Sequence, residues 1–409
     1  MESLSAVRLG ALLMVLCASG AQAQSRPQQW AGWLQQQVDS LPASRAINAE
    51  QARWQAETRD AAQPLYNPEL NIGYENSAET TTTVGLSQRL DWSGKARARR
   101  EAGQVRDSLA QLRADKARAD LLASSLAALV AYDAARARLD AARRQEQQLT
   151  ELTALVRRRE QAGDLGQVDA QLAYLSLGQA QLALANAESR ATRAATRLRA
   201  VLASEPPAQP LPARIWASPS LKAGPQQRLS ASFDLRLAEQ QLRLAEQGVA
   251  LADRQRNSDP TLGFSVGREG EENLWGLDFS LPLKIFNSGK AAYQSALADS
   301  EQRRALLEKT RNDIAAQLDG AWRDYQQQRT RWENWQSLTG NSLARSGDLL
   351  QRVWQQGELT TQNYLQALNQ RLETRLSGIA LREAMQQAWV EWLQQSAQLN
   401  DWLNQLANP

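Results

Sequence analysis

Two hydrophobic rhythms alternate along this chain, and each occurs twice. The first has a period of two. Leu70, Ile72 and Tyr74 point one way while Asn71, Gly73 and Glu75 point the other. Thr82, Val84, Leu86, Leu90 and Trp92 then oppose Thr83, Gly85, Ser87, Arg89 and Asp91, with Gln88 the one polar entry on the apolar side. Later, Leu262, Phe264 and Val266 alternate with Gly263 and Ser265, and Trp275, Leu277, Phe279, Leu281 and Leu283 alternate with Gly276, Asp278 and Ser280. This alternation predicts two strand pairs, over 68–92 and 260–286, each with one apolar and one polar face.

The second rhythm has spacings of three and four, as in Val105, Leu109, Leu112; Leu122, Leu126, Leu129; and Leu149, Leu152, Val156. It predicts coiled-coil-like helices over 96–160 and 291–355, free of Pro and interrupted only weakly by Gly103, Gly320, Gly340 and Gly347. At 1.5 Å per residue each would be roughly 100 Å long, more than an ordinary globular core needs. A Gly-containing turn follows each (162–166 and 356–360), then a return helix (167–202 and 362–403). A shorter helix opens each unit (43–63 and 233–256), ended by Pro64 and Pro68 or by Pro260. The opening and return helices together match the long one, so they are expected to stack end to end beside it.

The two units are copies. Pro68-Glu69-Leu70-Asn71-Ile72-Gly73 recurs 192 residues on as Pro260-Thr261-Leu262-Gly263-Phe264-Ser265. Ser93-Gly94-Lys95-Ala96 recurs as Ser288-Gly289-Lys290-Ala291, and the turn Gly163-Asp164-Leu165 as Gly357-Glu358-Leu359. Three matches in order at one spacing mark a duplicated unit. The expected plan is a leader (1–23), a first repeat (24–203), a Pro-rich linker wrapped outside the helices (204–232), a second repeat (233–403) and a tail (404–409).

Composition narrows the chemistry. There is no His, and the single Cys is Cys17. That excludes an imidazole base, a Ser-His-Asp relay, a His-ligated metal and a disulfide. With 47 Lys and Arg against 44 Asp and Glu, the net charge of +3 gives no case for nucleic acid. No catalytic constellation, cofactor site or metal site is expected. The run Leu9–Ser19 after Arg8, ending in Ala21-Gln22-Ala23, reads as a secretory signal peptide cleaved after Ala23. Met14-Val15-Leu16 before Cys17 lacks the small residues that lipidation requires. No later stretch is apolar enough for a transmembrane helix, so membrane entry would have to be as a β-barrel. Four strands cannot close one, whereas three chains would supply twelve around a polar lumen. Tyr66, Tyr74, Trp92, Trp275 and Phe286 are candidate membrane-interface aromatics.

With these motifs in place, the chain resembles the TolC family of outer-membrane efflux ducts. The duplicated order, the Asn67-Pro68-Glu69-Leu70 strand entry and Ser280-Leu281-Pro282-Leu283 carry the resemblance. The junction Leu90-Asp91-Trp92-Ser93-Gly94-Lys95-Ala96-Arg97 is most similar to the heavy-metal-efflux branch, the cobalt–zinc–cadmium resistance outer-membrane components. The resemblance implies an α+β fold: a membrane β-barrel completed by trimerisation, continuous with a long coiled-coil α-helical barrel. It also implies a homotrimer in a Gram-negative outer membrane, docked to a periplasmic membrane-fusion (adaptor) protein and an inner-membrane efflux pump. The chain itself would be a passive duct, not an enzyme. A drug-efflux or type I protein-secretion duct is the alternative within that class, and a periplasmic coiled-coil adaptor or scaffold the alternative outside it.

Each candidate site has a plain counterpart. Gly163, Asp164, Leu165, Gly357, Glu358 and Leu359 are candidates for the periplasmic tip and adaptor docking, or are ordinary hairpin caps. Asp164, Asp169 and Glu358 form either an acidic entrance ring when tripled or solvated helix-start acids. Arg157-Arg158-Arg159 and the Arg97, Arg99, Arg100 cluster read as solvated faces. Pro282 suits a strand leaving the barrel. The tryptophans of the second half are expected to pack between helices.

Overall fold

A computed structural model describes residues 26–407 apart from 206, 208–210 and 217–224. The leader and Cys17 lie outside the described residues. The chain is mostly helical, with one small antiparallel sheet. Helices α1 (Arg26–Ser40) and α2 (Pro42–Ala62) lead into strands β1 (Glu69–Asn76) and β2 (Thr80–Arg89). Helix α3 (Lys95–Gln161) and the returning α4 (Gln167–Leu202) complete the first repeat. After a short 3-10 turn (Ala213–Trp216) and α5 (Pro225–Ala231), the second repeat runs α6 (Phe233–Gln255), β3 (Thr261–Glu269), β4 (Glu272–Ser280) and α7 (Lys290–Trp335). A π turn (Gln336–Gly340) then joins α8 (Asn341–Gln355), which is followed by α9 (Thr361–Gln395) and α10 (Leu399–Ala407).

The period-two segments make one four-stranded sheet in the order β1-β2-β3-β4, so β1 and β4 are open edges. Strands of eight to ten residues suit a tilted bilayer crossing. The strands stop earlier than the alternation does, at Arg89 and Ser280. Beyond them the backbone turns to meet the helices: Leu90 still donates its N–H to Pro260, but Pro282 instead accepts from the Ser258 hydroxyl. Gln88, the polar exception on the apolar side, bonds the carbonyls of Tyr66 and Arg89. It serves the loop at the strand base, which explains its type.

The helices divide as their lengths require. Helix α2 lies along the first half of α3, with Thr58 bonding the Gly103 carbonyl and Arg118 bonding Asn48 and Gln51. Helix α4 lies along the second half, where Tyr174 bonds Glu160. Helix α6 runs antiparallel along α7, with Arg304 on Glu246 and Arg311 on Glu239.

Two cores stabilise this slender shape. One sits at mid-height, where Leu122, Leu126 and Leu129 of α3 meet α1, α7, α9 and α10. Its aromatics interlock: the rings of Tyr325 and Trp389 are 4.6 Å apart, and those of Trp322 and Trp392 are 4.8 Å apart. Burying such large rings dominates the local packing energy. Part of the linker belongs here too. Ile215 is fully buried and Trp216 packs 6.0 Å from Trp402, so this stretch enters the core where an external wrap was expected. The second core lies at the far end of the helices and holds both tip turns.

Two long helices depart from the expected continuous form. The π turn interrupts 291–355, and the return helix breaks at Ser396–Gln398, with Ala397 at φ 55, to give α9 and α10.

Candidate functional site

Three places carry the chemistry: the sheet, its junction with the helices, and the tips.

The sheet exposes its apolar side chains. Ile72, Tyr74, Trp275 and Leu277 are each about 70% exposed or more, and Leu86, Phe264 and Phe279 are also exposed. Water does not tolerate so large a contiguous apolar face on a lone soluble domain. The opposite face is small and polar. Asn71 bonds Ser87 at 2.9 Å, and Gly263 lies between Ser87 and Asp278. Tyr74 and Trp275 sit toward the hairpin ends of the strands, whereas Trp92 and Phe286 are exposed at the helix end. Tyr66 differs from these four. It is half-buried, stacked under Arg89 at 5.1 Å, with its hydroxyl given to Asp259 at 2.7 Å.

That bond belongs to a closed polar junction which the sequence did not single out. Lys95, the first residue of α3, reaches Asp259 and the Asn257 carbonyl, both at 2.7 Å. Ser93 donates to the other Asp259 oxygen at 3.1 Å. Only 2% of the Asp259 side chain and 11% of that of Lys95 are exposed. Burial alone would raise the Asp259 pKa. The bonds from Lys95, Tyr66 and Ser93 outweigh it and hold the carboxyl below its ordinary value. The Tyr66 hydroxyl is pushed up to about 12, by burial first and by the Asp259 bond second. Asp91 caps the same helix, accepting from the backbone N–H of Lys95 and Ala96 at 2.8 and 2.7 Å. An acid here also complements the helix dipole. The junction ties the start of the first long helix to the entry of β3, across the two repeats.

At the opposite end the two tips come together. Gly163 and Gly357 have φ of 80° and 79°, a left-handed conformation that favours glycine. Leu165 and Leu359 are half-buried against the core of Leu149, Leu152, Val156, Trp354, Tyr364 and Leu365. The leucines expected to face a partner helix are thus partly covered within the chain, against a core that both hairpins share. Asp164, Glu358 and Asp169 stay exposed or half-exposed at this end, with Asp169 starting α4. Arg159 lies over the Trp354 ring at 5.4 Å, and Trp354 stacks on Tyr364 at 5.1 Å, so one arginine of the basic run has a packing role. Arg99 pairs with Asp60 at 2.6 Å and Arg97 with Glu101 at 2.9 Å.

The flanks of the helices are unfinished. Val168, Leu175 and Leu182, seven residues apart on α4, are 65–74% exposed. A stripe at heptad spacing is what a coiled-coil partner covers. Among the described residues, no three of His, Cys, Asp and Glu converge as a metal site, and no helix is long and apolar enough to cross a membrane.

Comparison with known proteins agrees with this geometry. Residues 33–204 match the model of the outer membrane efflux protein family. No curated protein matches the sequence. Among solved structures, that of CusC, studied for its folding and transmembrane channel formation, has a TM-score of 0.75 at 17% identity, over 90% of this chain and 92% of that one. The outer-membrane channel OprN gives 0.74 at 18%, over 91% and 93%. The Campylobacter jejuni CmeC outer membrane channel gives 0.74 at 13%, over 100% and 97%.

Proposed function

We propose that this chain, a TolC-family outer-membrane efflux protein by its matched first repeat and its fold, is the exit duct of a tripartite efflux system. The carrying observation is a four-stranded sheet with an exposed apolar face and two open edges, set on helices too long for any core of their own. Open edges are forbidden in lipid, so the sheet must be completed by further copies. Three copies give twelve strands, an even number that encloses the polar face of Asn71, Ser87, Ser265 and Asp278 as a lumen. The helices continue that lumen into the periplasm. The paired tips carrying Gly163, Asp164, Gly357 and Glu358 are the docking end for a periplasmic adaptor, through which an inner-membrane pump supplies substrate and energy. The chain conducts passively and catalyses nothing. The acids at the tips form a ring at the entrance.

Heavy-metal cations are the proposed cargo, on the strength of the Leu90–Arg97 junction motif. The test is a deletion strain scored against zinc, cobalt, copper and a drug panel, together with fractionation of the tagged protein. Metal sensitivity and a heat-modifiable trimer in the outer membrane are expected. Unchanged metal tolerance with raised drug sensitivity would move the cargo to drugs, and a soluble periplasmic monomer would overturn the duct.

A further inference from the structure

The duplicated junction is closed in one copy of the repeat and open in the other. Both Ser-Gly-Lys motifs enter their long helix through a left-handed glycine, Gly94 at φ 75° and Gly289 at φ 70°. The first motif is buried against the entry of β3: Lys95 on Asp259 and the Asn257 carbonyl, Arg254 on the Ser93 carbonyl at 3.1 Å. The second is bare. Lys290 is exposed, has no polar partner among the described residues, and follows the fully exposed Phe286 by four residues. What covers the first motif is the segment before Pro260, and its repeat counterpart is the segment before Pro68. Asn67 stands where Asp259 stands and Leu65 where Asn257 stands. That segment is itself exposed at Asn67 and leads into the open edge β1. It lies at the far edge of the same sheet from β4, so the chain cannot fold it onto its own Lys290.

The geometry points to a specific seam with a second copy: β4 of one chain pairs with β1 of the next in the register that β2 keeps with β3, and Lys290 seats on Asn67 and the Leu65 carbonyl of that copy. This rests on the duct reading and gives its assembly a residue-level form. The register follows from the repeat and the observed ladders together. The strand entries Pro68 and Pro260 set β3 against β1 at 192 residues, and with Glu69 facing Ser87 and Thr261 facing Ser280 this sets β4 against β2 at 193. The pairs Ser87–Gly263, Leu86–Phe264 and Val84–Val266 then become Ser280–Asn71, Phe279–Ile72 and Leu277–Tyr74.

Two independent checks hold. From Gly276–Glu75 to Leu281–Leu70 the transferred pairs put apolar against apolar and polar or glycine against the same, whereas a slip of one residue would mix the faces; the match ends at the hairpin, where Trp275 falls opposite Asn76. The register also advances by two residues at each repeat, which for rise and spacing of about 3.3 and 4.8 Å gives a strand tilt of roughly 35°, within the range of closed barrels. With Asn67 in place of an aspartate, Lys290 is held at the seam by neutral acceptors alone, where Lys95 within the chain has an ion pair.

Paired cysteines test this in a Cys17→Ser background, which leaves no other thiol. The double variant Ser280→Cys with Asn71→Cys is oxidised, or bridged by a short bifunctional thiol reagent, in outer-membrane vesicles and run on denaturing gels. Covalent dimers and trimers are expected for this pair and not for Ser280→Cys with Gly73→Cys or with Glu69→Cys. Heat-modifiable trimers that link only at a shifted pair, or at none, overturn the register while leaving the duct intact. Absence of any oligomer in the membrane overturns the duct itself. Asn67→Asp should raise the temperature at which trimers dissociate, and the gain should vanish when Lys290→Met is added. A gain that survives without the lysine, or no gain at all, removes Lys290 from the seam.

Discussion

Asp259 shows how a single residue joins the sheet to the helices. Its two oxygens take bonds from Lys95, Tyr66 and Ser93, so no lone acid is left buried. Removing one member of such a buried pair leaves the other uncompensated, and Lys95→Met or Asp259→Asn should each cost about 3–5 kcal/mol in thermal or denaturant melts of the detergent-solubilised protein. The lowered Asp259 pKa fixes the acid side of the profile. Its contribution is full above the unfolded carboxyl value near 4 and is lost as pH falls through the lower native value. Asp259→Asn should therefore flatten the acid limb of the stability curve. Tyr66, raised to about 12, contributes fully below the unfolded value near 10 and loses that contribution as pH climbs toward 12. Tyr66→Phe should flatten the alkaline limb. A second residue-scale case is Trp389, buried with no partner for its indole N–H among the described residues. Trp389→Phe gives up no hydrogen bond and should cost far less than Trp389→Ala, for which about 3–5 kcal/mol is expected from the same melts.

At the scale of elements, the periodicities state most of the fold. Period two marks the strands and spacings of three and four mark α3, because each strand has one exposed apolar face and α3 buries a continuous row from Leu109 to Val156. What was hidden has a physical reason in each case. The π turn at 336–340 sits where Trp335 packs against Gly378, whose own Cβ would fall 2.2 Å from the indole, and no local propensity reports a contact 43 residues away. The break at Ser396–Gln398 carries neither Gly nor Pro. The Lys95–Asp259 junction joins residues 164 apart, so nothing in either neighbourhood signals it. Candidate tip residues were legible because Gly163 and Gly357 leave a turn signal, yet the partial burial of Leu165 and Leu359 depends on a core drawn from four helices. The turns themselves can be tested. No side chain or backbone lies within 4 Å of a Cβ built at either glycine, so Gly163→Ala and Gly357→Ala meet only backbone strain of about 1–2 kcal/mol. Faster amide exchange confined to 156–170 or 350–365 is expected, with melting of the mid-height core unchanged.

At the scale of the whole molecule, assembly and membrane insertion should be one event. The sheet alone has two unpaired edges, and an unpaired backbone group in hydrocarbon costs several kcal/mol, so β1–β4 of a single chain cannot remain in lipid. The edges can be closed only by bringing copies together, and much of the surface that would do so lies on the helices. Val168, Leu175 and Leu182 form an exposed heptad row on α4, and Leu297 and Leu306 lie exposed on α7. Charging the α4 row should therefore prevent barrel formation without touching a strand. In Leu175→Asp with Leu182→Asp, the single-chain core of Trp389 and Trp402 is left alone, so helix content by circular dichroism should persist. Heat-modifiable trimers should disappear, and the protein should leave the outer-membrane fraction. The control is Arg193→Asp on the exposed face further along the same helix, which adds an acid but removes no apolar contact and should leave trimers in place. If the doubly charged variant still reached the membrane as a trimer, closure of the sheet would not depend on the helices, and the row on α4 would have to face lumen or solvent in the assembled duct.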